Sequence, residues 1–229
     1  MFGGLSVLAL GLMLGQPVPA ADPPASAPAT LDATTPAGLR VVVVPIDEVA
    51  PDLVEFVAES VRRRYTFEVM TLPAVPPAAT AWYPPRKRWR AERLLDQLDA
   101  LEVGDAIRVI GLTEQPISTT KGKIFDWGIA GLGSLPGKSC VLTAYLFRGL
   151  KKKDRPHYLR YMENLVLHEL GHTLGVPHCP LDRCIMADAK GNALRAARAS
   201  INEYCPRCHG KLKKWLRAQD VRGDWPEAR

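Results

Sequence analysis

Apolar and polar positions along the chain switch between the period of a strand and that of a helix, and the switches mark out a series of elements. Residues 39–46 form a nearly continuous β-branched run, the pattern of a strand buried on both faces. Over 52–64, Leu53, Phe56, Val57, Ser60 and Val61 fall at helical spacing behind Pro51, a helix-start signal. Residues 67–72 return to a strand pattern, and this β-α-β order predicts a parallel pair joined by a right-handed crossover. A Pro-rich loop over 73–85 leads to a helix over 90–101, marked by Leu94, Leu95 and Leu98, and to a third strand over 106–112. Residues 124–130 are a short mixed run, either a strand or a surface loop, and 139–147 a clearer strand. Asp154-Arg155-Pro156 then opens a long helix. Along it Leu159, Met162, Val166, Leu170 and Leu174 make a stripe for a core, while Tyr161, Leu165, His168 and His172 fall on a different face. A last helix is expected over 211–217, with Leu212, Trp215 and Leu216 packing its apolar side on the domain, and a frayed tail over 222–229. The predicted fold class is α/β, a mixed, mostly parallel twisted sheet flanked by helices.

The ends of the 229-residue chain read differently. Residues 1–21 contain an apolar run, 5–14, and end in Val18-Pro19-Ala20-Ala21, small residues suited to signal peptidase. The run is shorter than the ~20 residues that span a bilayer. The expectation is a signal peptide and an exported, periplasmic or secreted, protein. Residues 22–38 are rich in Pro, Ala, Ser and Thr, a composition that cannot bury a core and forms an extended linker. The folded domain is therefore placed at 39–221, long enough for one sizeable core. The formal net charge is +6, with basic clusters at 86–90, 151–153 and Lys211, Lys213 and Lys214. These read as solvated faces, so neither a nucleic-acid partner nor a membrane span is expected, and the chain is expected to be a monomer.

The chemistry is concentrated between His168 and Cys208. His168-Glu169-Leu170-Gly171-His172 places two imidazoles one helical turn apart on one face, where both can ligate one Zn²⁺ with Glu169 beside the metal and not bound to it. Gly175 can take the left-handed conformation that ends a helix, and His178, three residues on, can close the site. Three neutral imidazoles leave a fourth position open, which is the ligand set of a catalytic zinc. Cys179, Cys184, Cys205 and Cys208 supply four thiolates in two close pairs, as in tetrahedral structural zinc sites. Two disulfides with Cys140 left over are the alternative that export suggests, but the grouping favours zinc, for two Zn²⁺ per chain. Cys179 follows His178 directly, so the second site would tether the loop that delivers the third histidine. His157 reads as a surface residue, and His209 is adjacent to the second site without being needed by it.

The whole string, H-E-x-x-H-x-x-G-x-x-H with Met186 downstream, matches the metzincin pattern, and the cysteine spacing that follows resembles one branch, the archaemetzincins, whose members carry a second zinc on four cysteines. Trp82-Tyr83-Pro84-Pro85-Arg86, leading into Ala91-Glu92-Arg93-Leu94-Leu95, looks like the N-terminal subdomain of the same family. The resemblance implies a zincin-like fold with a small C-terminal zinc-bound subdomain, Met186 packed beneath the metal ligands, and 124–130 as the antiparallel edge strand above the zinc, where an extended peptide could add. It implies a zinc metallopeptidase acting on a peptide or protein substrate, with Glu169 as general base and then acid. The alternative is a non-catalytic zinc-binding interaction module. Glu169 argues against it, since a module has no reason to keep a carboxylate there.

Overall fold

The computed structural model describes residues 39–65 and 67–218. The expected signal segment 1–21, the linker 22–38, the tail 222–229 and the end of the placed domain, 219–221, lie outside the described residues. In chain order the elements are β1 (Arg40–Pro45), α1 (Pro51–Arg64), β2 (Glu68–Thr71), β3 (Trp82–Tyr83), β4 (Arg88–Arg90), α2 (Ala91–Asp99), β5 (Arg108–Thr113), β6 (Ile117–Lys121), β7 (Ile124–Ile129), β8 (Gly131–Gly133), β9 (Ser139–Thr143), α3 (Arg148–Lys151), α4 (Arg155–Thr173), α5 (Ala193–Ala199) and α6 (Pro206–Ala218).

The main sheet has the order β2-β1-β5-β9-β8, parallel throughout except for the antiparallel edge strand β8. Both faces of β1 are covered because its alternate side chains enter two different cores. Val41 and Val43 pack with residues of α1 and α4, while Val42 and Val44 pack with Leu94 and Leu98 of α2. Burying each such side chain fully contributes roughly 1.5–3 kcal/mol. This explains why the run carries no polar alternation, and the architecture is the mixed, mostly parallel α/β arrangement expected.

Several elements differ from the expectation. A second sheet, β3-β4-β6-β7, stands apart from the first. Its strands are short: β3 lies inside the stretch 73–85 expected as a Pro-rich loop, β4 just ahead of and overlapping the start of the helix expected over 90–101, and β6 in a stretch to which no element was assigned. The edge strand is displaced: β7 pairs antiparallel with β6 in this second sheet, and the strand bordering β9 is β8. The chain changes sheets at Ala130, whose carbonyl accepts from the Thr143 amide at 2.8 Å. Strand β9 stops at Thr143 because its hydroxyl caps the tight 3-10 turn that follows, accepting from the Tyr145 amide. Helix α6 begins at Pro206, five residues before the predicted start, since Pro fits the first turn of a helix although no apolar periodicity announces it. Helix α5 has no counterpart among the predicted elements. The basic cluster at 86–90 is only partly solvated: Arg90 is buried, donating to the hydroxyls of Ser118 and Thr120 and to the Phe125 carbonyl.

Candidate functional site

Helix α4 carries the first part of the site. Asp154 caps it by accepting from the His157 amide, with Pro156 in the first turn. Both of its long faces are buried, Met162, Val166 and Leu170 on one and Tyr161 and Leu165 on the other. The second face lines a cleft of about 460 Å³, whose walls include Trp127, Tyr161, Leu165, His168, Glu169 and Leu194. The helix ends as its glycine predicts. Gly175 has φ +80°, its amide donates to the His172 carbonyl, and the Val176 amide donates to the Gly171 carbonyl, the paired bonds of a Schellman turn.

That turn also orients a candidate ligand. The Val176 carbonyl accepts from His172 Nδ1 at 2.9 Å, and the Ile185 carbonyl accepts from His168 Nδ1 at 2.8 Å. With Nδ1 donating, each Nε2 is left with its lone pair free to bind a metal. The two Nε2 atoms stand 3.1 Å apart, and a nitrogen of His178 joins them, the three ligand atoms lying within 4.8 Å of one another. Two lone pairs facing each other at that distance repel unless a cation lies between them. Zn–N bonds of about 2.0–2.1 Å in a tetrahedron place ligand nitrogens roughly 3.3–3.4 Å apart, so the donor set fits a zinc ion. Burial lowers the pKa of His168 to about 3 and of His172 to about 4, each further lowered by a neighbouring imidazole. Both are neutral at physiological pH, as ligation requires.

Glu169 is 6 % exposed, and its carboxyl lies against β8. Burial pushes its pKa up to about 8, against which the Gly133 amide favours the charged form. A cation held by the adjacent histidines would oppose that rise.

The four cysteines also converge. Their sulfurs lie within 4.8 Å of one another, with Cys179 Sγ 3.8 Å from Cys205 Sγ. That separation is far beyond an S–S bond of about 2.05 Å and matches the roughly 3.8 Å between thiolates sharing a tetrahedral zinc with Zn–S bonds of about 2.3 Å. All five cysteines are free thiols. Cys140, by contrast, is fully buried on β9, where burial holds its pKa well above the usual thiol value. Cys205 immediately precedes α6. Burial raises its pKa, but hydrogen bonds from the Cys208 amide and the neighbouring thiols outweigh this and draw it below the usual value, the direction that favours a thiolate.

The loop between the two clusters is fastened at both ends. The Cys179 amide donates to the Met186 carbonyl at 2.6 Å, the Ile185 amide to the Glu203 carbonyl at 2.9 Å and the Ile201 amide to the Arg183 carbonyl at 3.1 Å. Ile185, whose carbonyl holds His168, thus lies between Cys184 and Met186. Met186 is fully buried with its sulfur against Gly171, and Tyr204 reaches the same spot, donating to the Leu167 carbonyl at 2.9 Å. Arg64 at the end of α1 grips Glu203 at 2.7 and 3.2 Å and the Asn202 carbonyl at 2.6 Å. His157 is exposed and pairs with Asp154 at 2.6 Å, away from the site, as expected. Sequence reading overlooked Gly131, Gly133, Tyr204 and Arg64. Only the two glycines two apart left a signal, and nothing local tied them to Glu169.

The model of Peptidase family M54 matches residues 57–214. An archaemetzincin from Methanopyrus kandleri is 33 % identical over 132 residues, covering 58 % of this chain and 70 % of that protein. One from Thermococcus kodakarensis is 28 % identical over 188 residues, covering 77 % and 96 %. The crystal structure of the Methanopyrus kandleri archaemetzincin superposes with a TM-score of 0.67 at 27 % identity, over 79 % of this chain and 96 % of that one. That of the Archaeoglobus fulgidus archaemetzincin, complexed with malonate, gives 0.63 at 25 %, over 76 % and 99 %. With the family model spanning most of the chain and the fold shared, this protein belongs to peptidase family M54, the archaemetzincins, and is a zinc metallopeptidase.

Proposed function

We propose that the chain hydrolyses peptide bonds at a zinc held by His168, His172 and His178, with Glu169 as general base and then general acid, and that a second, structural zinc sits on Cys179, Cys184, Cys205 and Cys208. The observation that carries this reading is the convergence of one ring nitrogen from each of three imidazoles, two of which, His168 and His178, line one cleft together with the Glu169 carboxylate. Bound there, zinc supplies a Lewis acid that polarises a carbonyl and lowers the pKa of water toward neutrality. The Glu169 carboxylate accepts the proton released as water attacks the scissile carbonyl, then delivers it to the departing amine. His168 and His172 stay neutral and fixed through their bonds to Ile185 and Val176. The cysteine cluster holds the His178–Met186 loop, so the second metal pre-organises the first site.

The test pairs peptidase assays on a diverse peptide library with zinc analysis for wild type and Glu169→Gln. Glu169→Gln is expected to retain two zinc ions and lose about 10²–10⁴-fold in kcat. Full zinc together with most of the activity would overturn the general-base role, and one zinc with two disulfides in the wild type would overturn the thiolate site. We further propose that residues 1–21 direct export and that 39–221 form the mature catalytic domain after the 22–38 linker. N-terminal sequencing of protein recovered from its native compartment tests this, and an intact Met1 would refute it.

A further inference from the structure

Glu169 projects from α4 toward β8, and β8 has glycine at the two positions that share a face, Gly131 and Gly133. Neither has a positive φ, so neither is required there for its backbone conformation. Glycine inside a strand weakens it and commonly marks a close approach, and here the approach is to Glu169. A Cβ on Gly131 would stand 2.5 Å from Oε1, 2.6 Å from Cγ and 2.7 Å from Cδ of Glu169. A Cβ on Gly133 would stand 2.7 Å from the Glu169 carbonyl oxygen and 3.1 Å from His172 Cβ. Comfortable contacts between carbons need about 3.5–4.0 Å. Any side chain at either position would therefore enter space that Glu169 or its helix occupies.

The two glycines do different things. The three atoms nearest a Cβ at 131 all belong to the Glu169 side chain, which can swing aside without moving α4. Those at 133 include backbone, so a side chain there would push the strand off the helix.

We propose that Gly131 is a positioning residue for the peptidase reaction, its missing side chain being the space that holds the Glu169 carboxyl at its working place in the cleft. The inference rests on Glu169 being the general base. An alanine at 131 leaves the fold and the metal ligands in place and turns the carboxyl away from the attacking water. Displacing a reacting group by about 1 Å can cost on the order of 10²-fold in rate.

The experiment uses zinc-loaded full chain in four variants, Gly131→Ala, Glu169→Asp, Gly131→Ala/Glu169→Asp and Glu169→Gln, with kcat, KM, zinc content and unfolding midpoint measured for each and a crystal structure of the first. Gly131→Ala is expected to keep its zinc, midpoint and KM while kcat falls by about 10²-fold, with the carboxyl visibly displaced. Asp is one methylene shorter and leaves room for the new Cβ, so adding Gly131→Ala to Glu169→Asp should cost little more. A Gly131→Ala enzyme with near wild-type kcat, an unmoved carboxyl, or losses that multiply in the double variant would overturn the proposal. So would loss of zinc or of folding in Gly131→Ala, because Gly131 would then support the structure and not the carboxyl. Glu169→Gln separates the two readings: if it stays active the general-base role fails, whereas if it is dead while Gly131→Ala is active, only the positioning role fails.

Discussion

Gly171 lies inside the H-E-x-x-H turn of α4, and replacing it with alanine sets two physical effects against each other. Ala is favoured over Gly in a helix interior by about 1 kcal/mol, so local propensity alone predicts stabilisation. Packing predicts the opposite. The new Cβ would stand 2.6 Å from Met186 Sδ, 3.3 Å from its Cε and 3.0 Å from the Tyr204 hydroxyl. Met186 has no exposed surface, and the Tyr204 hydroxyl is tied to the Leu167 carbonyl at 2.9 Å and to the Tyr65 hydroxyl at 2.5 Å. Overpacking of this kind costs about 1–3 kcal/mol, and losing one buried hydrogen bond adds about 0.5–1.5 kcal/mol. The net expectation is a loss of roughly 1–3 kcal/mol, which in a domain of this size lowers Tm by about 2–12 °C. Because Met186 follows Ile185, whose carbonyl orients His168, the catalytic zinc should also bind more weakly while the four-cysteine zinc stays. Thermal unfolding of zinc-loaded Gly171→Ala, with zinc content titrated against a graded chelator, checks both parts. A Tm equal to or above wild type would show that the Met186–Tyr204 packing yields freely, and Met186 would then not be a fixed support beneath the ligands.

Cys184→Ser removes one thiolate from the cluster that fastens the 178–188 loop; since structural zinc contributes an apparent ~10–16 kcal/mol in zinc-finger peptides, this variant should lose one zinc, several degrees of Tm and part of its affinity for the catalytic ion, and an unchanged melting curve would make the second site incidental. His178→Ala should release the catalytic zinc and retain the other, read as one zinc per chain by elemental analysis; retention of both would remove His178 from the ligand set. Arg64→Ala breaks the bidentate grip on Glu203 and the bond to the Asn202 carbonyl, and hydrogen bonds to charged groups contribute about 1.5–3 kcal/mol, so a fall in urea midpoint of that order is expected with kcat little changed. A midpoint equal to wild type would show that this contact does not hold the cysteine segment.

What the sequence determined by itself was everything written at short range. The spacing of the candidate ligands needs only one helical turn and one glycine-ended loop, so the convergence of His168, His172 and His178 around Gly175 was legible from their offsets, and the Schellman turn at Gly175 follows from the same residue. The four cysteines were legible as a group because they come in two close pairs. The β-branched run of β1 announced a strand covered on both sides, since a half-exposed strand would alternate. The tertiary structure alone decided what depends on distant elements meeting. The edge strand is β8 and not the longer run 124–130, because pairing partners and not composition determine which sheet a strand joins, and the chain crosses from one sheet to the other at Ala130. Arg90 looked like part of a solvated basic face until Ser118, Thr120 and the Phe125 carbonyl folded over it. Gly131 falls between the predicted runs 124–130 and 139–147, and its relation to Glu169, thirty-eight residues away, exists only once β8 lies along α4. Local periodicity carries no information about the space a side chain must leave empty for a partner elsewhere in the chain.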